Sequence, residues 1–260
     1  MPKVAILSDI HANLPAFEAV LREVDKCKVD LIVFGGDTVG YGASPAECVK
    51  MVRSLGGHSV FGNHESMTKM VQQQGIDNLI DGWEINPVVA GVVHTFRSVA
   101  EEDLKWMWDL PWFLPLDEES IITHAGLEEP NRWPYIDSEE SAAPSIKILK
   151  NRGLNVGFFG HIHRLAIFPG LKKLKQKKKE IFRLPEDKVT AITVGSVGQS
   201  RDKNDWRATW VLWDPDERTV EFRRTEYDNK LAAKQIIDAG LPEKSALRLF
   251  RLAPSSDDEL

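Results

Sequence analysis

At 260 residues, 42% hydrophobic and 28% charged, the chain has the composition of a globular enzyme with ample length for a packed core. Its net charge of −6 and pI near 5.7 supply no general attraction to nucleic acid or to an anionic membrane surface. The opening MPKVAIL is too short for a signal peptide, no run reaches the roughly 18 apolar residues of a spanning helix, and Cys27 and Cys48 lack disulfide-framework or zinc-ribbon spacing, so a cytoplasmic protein with reduced, half-buried thiols is the default expectation.

Val4–Leu7 reads as a strand, and Leu14–Lys26 as a helix with Pro15 in its first turn and Phe17, Val20, Leu21 and Val24 on one face. Leu31–Phe34 is a second strand, ending at Gly35-Gly36-Asp37. Ser44-Pro45-Ala46-Glu47 has the capping-box pattern and opens a helix with Cys48, Val49 and Val52 inward. Ser59-Val60-Phe61 reads as a third strand leading into Gly62-Asn63-His64-Glu65. A Trp- and Met-rich, mostly helical insert spans about 66–116, followed by strand Ile121–Thr123, helix Ile146–Arg152 and strand Val156–Phe159. Alternating runs at 165–168, 181–184, 189–194, 207–213 and 219–225 suggest antiparallel hairpins, before a helix at Asp228–Ala239. The whole reads as one domain over residues 1–250, with a polar tail at 251–260.

The stretch Ser8-Asp9-Ile10-His11-Ala12-Asn13 poses a problem, because a carboxylate and an imidazole at the end of a buried strand are costly without partners. Asp9 as a helix cap is one answer. A metal site is the other, and it requires ligands elsewhere. They are present: Asp37, Asn63 with His64, His124, His161 and His163 all lie just past strands, where open α/β sheets build their sites. Five of the seven histidines fall in these places. Carboxylate, amide oxygen and imidazole without thiolate suit Mn²⁺, Fe, Co²⁺, Ni²⁺ or Zn²⁺. Leaving His64 aside, the donors exceed the needs of one tetrahedral ion and match two ions sharing a carboxylate, roughly 3.5–4 Å apart.

Asp9-Ile10-His11, Gly36-Asp37-Thr38-Val39-Gly40, Gly62-Asn63-His64-Glu65, His124 and Gly160-His161-Ile162-His163 stand in the order of the calcineurin-like metallophosphoesterase motifs, and the chain resembles that family. The segments 36–42 and 195–202 are similar to those of its small prokaryotic phosphodiesterases. The resemblance implies an α/β fold, a four-layer α/β/β/α sandwich with the site along one edge. It implies one ion on Asp9, His11 and His163, a second on Asn63, His124 and His161, and Asp37 bridging them. His64 then acts without binding metal, by stabilising the phosphoryl group or protonating the leaving oxygen after attack by a metal-held hydroxide.

Protein serine/threonine phosphatases of this superfamily carry Asp-Arg where Gly40-Tyr41 stands, and Arg where Phe61 stands. Two phosphate-gripping arginines are therefore missing, which favours a phosphodiesterase acting on a small, nucleotide-containing ester over a protein phosphatase. A metal-poor interaction scaffold is the non-enzymatic alternative, and the full ligand set argues against it. Thr193-Val194 replaces the subgroup's usual Asn-Pro before Gly195-Ser196. Arg132, Arg164 and Arg201 neighbour the motifs and could replace the missing cations, Arg201 foremost, because a guanidinium fork binds phosphate oxygens in pairs. Trp83, Trp106, Trp108, Trp112 and Trp133 could stack a base, although core or lid packing is the default for most of them. The lysines at 172–179 read as a solvated loop rather than a nucleic-acid patch.

Overall fold

The computed structural model describes residues 2–78, 81–170 and 174–250; the tail 251–260, Lys172 and Lys173 lie outside them. In chain order the elements are β1 (Val4–Leu7), α1 (Leu14–Asp25), β2 (Leu31–Phe34), α2 (Pro45–Ser54), α3 (Asn63–Gln74), α4 (Pro87–Ser98), α5 (Glu101–Trp108), β3 (Phe113–Pro115), β4 (Ser120–Thr123), α6 (Glu139–Asn151), β5 (Val156–Phe159), β6 (Leu165–Phe168), β7 (Lys179–Arg183), β8 (Thr190–Val194), β9 (Ala208–Asp214), β10 (Thr219–Thr225), α7 (Asn229–Asp238) and α8 (Glu243–Leu247). Two five-stranded mixed sheets result, ordered β2-β1-β9-β10-β7 and β3-β4-β5-β8-β6.

Strand periodicity explains the layering. Val4 and Ile6 of β1 point between the sheets, where they meet Val33, Trp213 and Phe222 of their own sheet and Ile122, Phe158 and Ile192 of the other. Ala5 and Leu7 point the opposite way, onto Phe17, Val20 and Val24 of α1, Cys48 and Val52 of α2, and Ile236 of α7. Ile121, Phe159 and Ala191 face outward from the second sheet onto Ala142 and Leu149 of α6. Strands covered on both faces must be apolar at every position, which is why β1 and β5 read as continuous runs rather than alternations. The arrangement is the four-layer α/β/β/α sandwich.

Several expectations need correction. Ser59–Phe61 is not a ladder strand: Phe34 bridges Ser59 alone, bracketed by Phe34 N–H to His58 O (2.8 Å) and Val60 N–H to Phe34 O (3.0 Å), before Phe61 turns to Pro111. Helix α6 starts at Glu139 and carries Pro144 in its interior, opened by Ser138, whose hydroxyl accepts from Ser141 N–H at 3.2 Å. Ser44 makes no side-chain capping hydrogen bond, and α2 starts on Pro45, whose fixed φ suits the first helical position. Among the described residues beyond 163 only β9–β10 is a sequential hairpin; β8 runs parallel to β5 and antiparallel to β6, while β7 joins the edge of the other sheet beside β10. Cys48 is fully buried, whereas Cys27 is half-buried just past α1. No helix among the described residues is long and apolar enough to cross a membrane.

Candidate active site

The parallel strands β1 and β2 of one sheet and β4 and β5 of the other end along a common edge, and each is followed by a motif. Asp9 and His11 follow β1, Asp37 follows β2, His124 follows β4, and His161 and His163 follow β5; Asn63 and His64 open α3. The loops are sewn together by Asp9 N–H to Gly36 O (3.0 Å), His11 N–H to Asp37 O (3.0 Å) and Arg201 N–H to His163 O (2.9 Å). His161 N–H donates to Asp9 Oδ2 at 3.1 Å. Asp9, His11, Asp37, His161 and His163 all hold left-handed backbone, with φ of 54°, 49°, 51°, 68° and 60°. Non-glycine residues in that region carry strain, which collects where side-chain aim matters more than backbone comfort.

All the sequence-predicted ligands converge. Asp9, His11 and His163 bring ligand atoms within 4.8 Å of one another, and so do Asp37, His124 and His161. Asn63 Oδ1 lies 3.0 Å from His124 Nε2, and Asp37 Oδ2 lies 3.3 Å from the same nitrogen. His11, Asp37 and His64 form a third such cluster, so His64 is also within ligand reach.

The donor set fits divalent cations, and the hydrogen bonds show why. His11 Nδ1–H donates to Val39 O (3.0 Å), His163 Nδ1–H to Gln199 O (2.7 Å) and His124 Nδ1–H to Gly35 O (2.7 Å). A carbonyl can only accept, so each Nε2 of a neutral ring turns a lone pair inward. The Nε2 atoms of His11 and His163 face each other at 3.0 Å, which is repulsive unless a cation lies between them. Asp9 Oδ1 is buried among them with no hydrogen-bond donor.

Electrostatics follow from burial and two carboxylates. Burial, with neighbouring imidazoles His64 and His163, holds His11 well below its ordinary range. Burial and then the Arg201 charge do the same to His163. Burial and His124 bring His161 down to about 3. For His124, burial is outweighed by the Asp37 carboxylate, which pushes it up to about 10. Burial alone would raise Asp37, but His124 and His64 hold it well below the usual carboxylate range. His11, His161 and His163 are thereby kept neutral and Asp37 charged, as a cation site requires, whereas Asp37 favours a protonated His124, whose proton a bound cation would displace.

His64 has distinct surroundings. Its backbone N–H donates to Asp37 Oδ1 (2.8 Å), its ring packs against His11 and Tyr41 with centroids 4.7 and 4.8 Å away, and its buried Nδ1 has no hydrogen-bond partner. Gly40, where the protein phosphatases carry Asp, faces that nitrogen: a Cβ there would lie 2.0 Å from Nδ1.

Of the three candidate arginines, only Arg201 enters the site. It is half-buried, hydrogen-bonds Tyr135 and lies in the field of Tyr41, His64 and His163. Arg132 is exposed and pairs with Glu129 at 3.4 Å, while Arg164 Nε–H donates to Arg201 O at 3.0 Å and so holds the loop rather than a ligand. The tryptophans separate as well. Trp106 packs in the core and Trp108 Nε1–H donates to Thr68 (2.9 Å), whereas Trp112 and Trp133 line the rim beside His124.

Sequence reasoning missed Glu65. Its carboxylate accepts backbone N–H groups of Asp37 (2.9 Å), Thr38 (2.8 Å) and Gly62 (3.1 Å), and burial beside Asp37 pushes it up to about 7. Its signal was its place in Gly62-Asn63-His64-Glu65. Ser8, whose hydroxyl donates to Asp9 Oδ2 at 2.5 Å, and Tyr41 and Tyr135, which flank Arg201, were also missed.

The chain is similar to known proteins over nearly its whole length. A crystal structure of a metallophosphoesterase from Sphaerobacter thermophilus superposes with a TM-score of 0.78 at 31% identity, covering 95% of this chain and 98% of that one. An uncharacterized protein of Methanocaldococcus jannaschii is 32% identical over 250 residues, 95% of this chain and 97% of its own. A hypothetical protein of Pyrococcus horikoshii shares the fold, with a TM-score of 0.74 at 17% identity over 97% of this chain and 99% of its own. The calcineurin-like phosphoesterase family model matches residues 2–165, the span that contains every one of the converging ligands, and the chain therefore belongs to that family of metal-dependent phosphoester hydrolases.

Proposed function

We propose that the chain is a binuclear phosphodiesterase acting on a small phosphate ester, with Mn²⁺ as the preferred ion. The observation that carries this reading is the pair of ligand clusters around inward-facing imidazole lone pairs, with Asp37 Oδ2 between them at 3.8 Å from His11 Nε2 and 3.3 Å from His124 Nε2. Asp9, His11 and His163 would hold one ion, Asn63, His124 and His161 the other, and Asp37 both. Bound there, two divalent ions would supply Lewis-acid polarisation of a phosphoryl oxygen and water of lowered pKa.

The chain's own residues do the rest. Glu65 ties the Asp37 and Gly62 loops together and so fixes the bridging carboxylate. The Arg201 fork, held by Tyr135, grips a non-bridging phosphate oxygen from the rim. His64, its ring oriented by packing against His11 and Tyr41 and its backbone N–H anchored on Asp37, delivers a proton to the departing ester oxygen. A rim that offers Arg201 but lacks the two phosphatase arginines suits a diester monoanion better than a phosphomonoester dianion, which supports the diesterase reading over the protein-phosphatase one.

The test is metal analysis of protein purified without chelator, followed by turnover of bis-p-nitrophenyl phosphate and of a phosphopeptide in Mn²⁺. Near two ions per chain and faster diester turnover are expected. No bound transition metal, or faster phosphopeptide turnover, would overturn the proposal.

A further inference from the structure

The aromatic rim beside His124 has no part in the chemistry above. Trp133 meets the His124 ring edge-on at 5.7 Å, and Trp112 stacks on Trp133 at 5.0 Å with 27° between planes. Phe61 braces both rings, at 5.4 Å from Trp112 and 6.0 Å from Trp133. On the other side His161 lies 5.0 Å from His124, and Tyr135 stacks on His161 at 4.4 Å and 13°. An unbroken run of rings therefore leads from Trp112 across the ligand histidines to Tyr135 and its bond to Arg201.

Both ends of that run are open, with Trp112 40% and Tyr135 49% exposed. Large aromatic faces left in water beside a polar cleft mark a binding surface rather than core packing. Trp133 also holds a left-handed backbone (φ 54°), which bulky residues avoid and which the Gly126 N–H to Pro134 O bond (3.0 Å) clamps in place. The strain is spent on standing one indole upright behind another.

We infer that the Trp112–Trp133 pair is a stacking platform for the base of a nucleotide phosphoester, whose phosphate lies at Asp37 and Arg201. The inference rests on the phosphodiesterase reading and names its substrate class. A flat heteroaromatic ring fits a two-indole stack, and stacking of this kind tolerates any base. The chain's −6 charge points to a mononucleotide-sized ester rather than a polynucleotide.

Calorimetric titration of the Mn²⁺-loaded protein with AMP and with ribose 5-phosphate, which differ by the base alone, tests it. AMP should bind about 10-fold tighter to the wild type. Trp112→Ala should remove that advantage while leaving ribose 5-phosphate unchanged, and Trp112→Phe should keep most of it. Equal affinity for the two ligands, or equal losses for both in Trp112→Ala, would overturn the platform. Octyl phosphate binding as tightly as AMP would overturn it too, by showing a generic apolar slot. The phosphodiesterase reading fails separately, through absent turnover of bis-p-nitrophenyl phosphate, whatever the titrations give.

Discussion

Replacing Gly40 with alanine adds a single methyl group against the ring of His64. That carbon would lie 2.0 Å from His64 Nδ1, 2.8 Å from Cε1 and 2.9 Å from Cγ. The imidazole has nowhere to retreat, since His11 and Tyr41 rings stand 4.7 and 4.8 Å from it. Overpacking of a rigid interior costs about 1–3 kcal/mol. Gly40 also has φ +87°, and a Cβ in left-handed backbone costs about 1–2 kcal/mol. Together these give about 2–5 kcal/mol, and a central value of 3 kcal/mol corresponds to about 6–12 °C in Tm for a chain of this size. Because the clash falls on the ring proposed as the proton donor, kcat should drop by about 10²–10⁴-fold. The assays are thermal denaturation followed by circular dichroism, metal content, and turnover of bis-p-nitrophenyl phosphate in Mn²⁺. A variant with reduced Tm, retained metal and low kcat is expected. Wild-type kcat in Gly40→Ala would refute the claim that His64 placement depends on the missing side chain.

His64→Ala should keep its metal while losing about 10²–10⁴-fold in turnover, whereas Asp37→Ala should lose both; an emptied site in His64→Ala would make His64 a ligand. Chelation should lower Tm, since an ion present at 100 times its Kd contributes about 2.7 kcal/mol, and added Mn²⁺ should restore it; an unchanged Tm after verified metal removal would speak against both sites. Arg201→Ala should lower kcat/KM on the best diester about 10–100-fold, the worth of hydrogen bonds to a charged group, with Arg201→Lys recovering only part; unchanged kcat/KM would remove Arg201 from the site. Glu65→Gln sets an amide N–H against backbone donors and should cost about 1–3 kcal/mol in urea denaturation; wild-type stability would show that the loops hold without it.

The amino-acid order alone determined the strands that carry the ligands, because a strand covered on both faces writes itself as an unbroken apolar run, and Val4–Leu7, Leu31–Phe34 and Val156–Phe159 match the observed bounds. It also put forward the seven candidate ligands and His64, since all stand just past strand-like runs and in the motif order. Local pattern could not settle pairing. Ser59-Val60-Phe61 looks like a strand but finds one bridging residue, and β7 and β8, neighbours in sequence, enter different sheets. Nor could it choose among like residues. Arg132, Arg164 and Arg201 are equally basic and equally near a motif, yet only Arg201 is folded against Tyr135 and the histidines. Trp106 and Trp112 sit six positions apart, one packed in the core and the other 40% exposed at the rim. Glu65 finds its partners Asp37 and Thr38 at separations of 28 and 27 residues. Periodicity and capping act between residues a turn or a pleat apart, whereas burial, stacking and ligand convergence are set by which distant segments the two sheets bring to one edge.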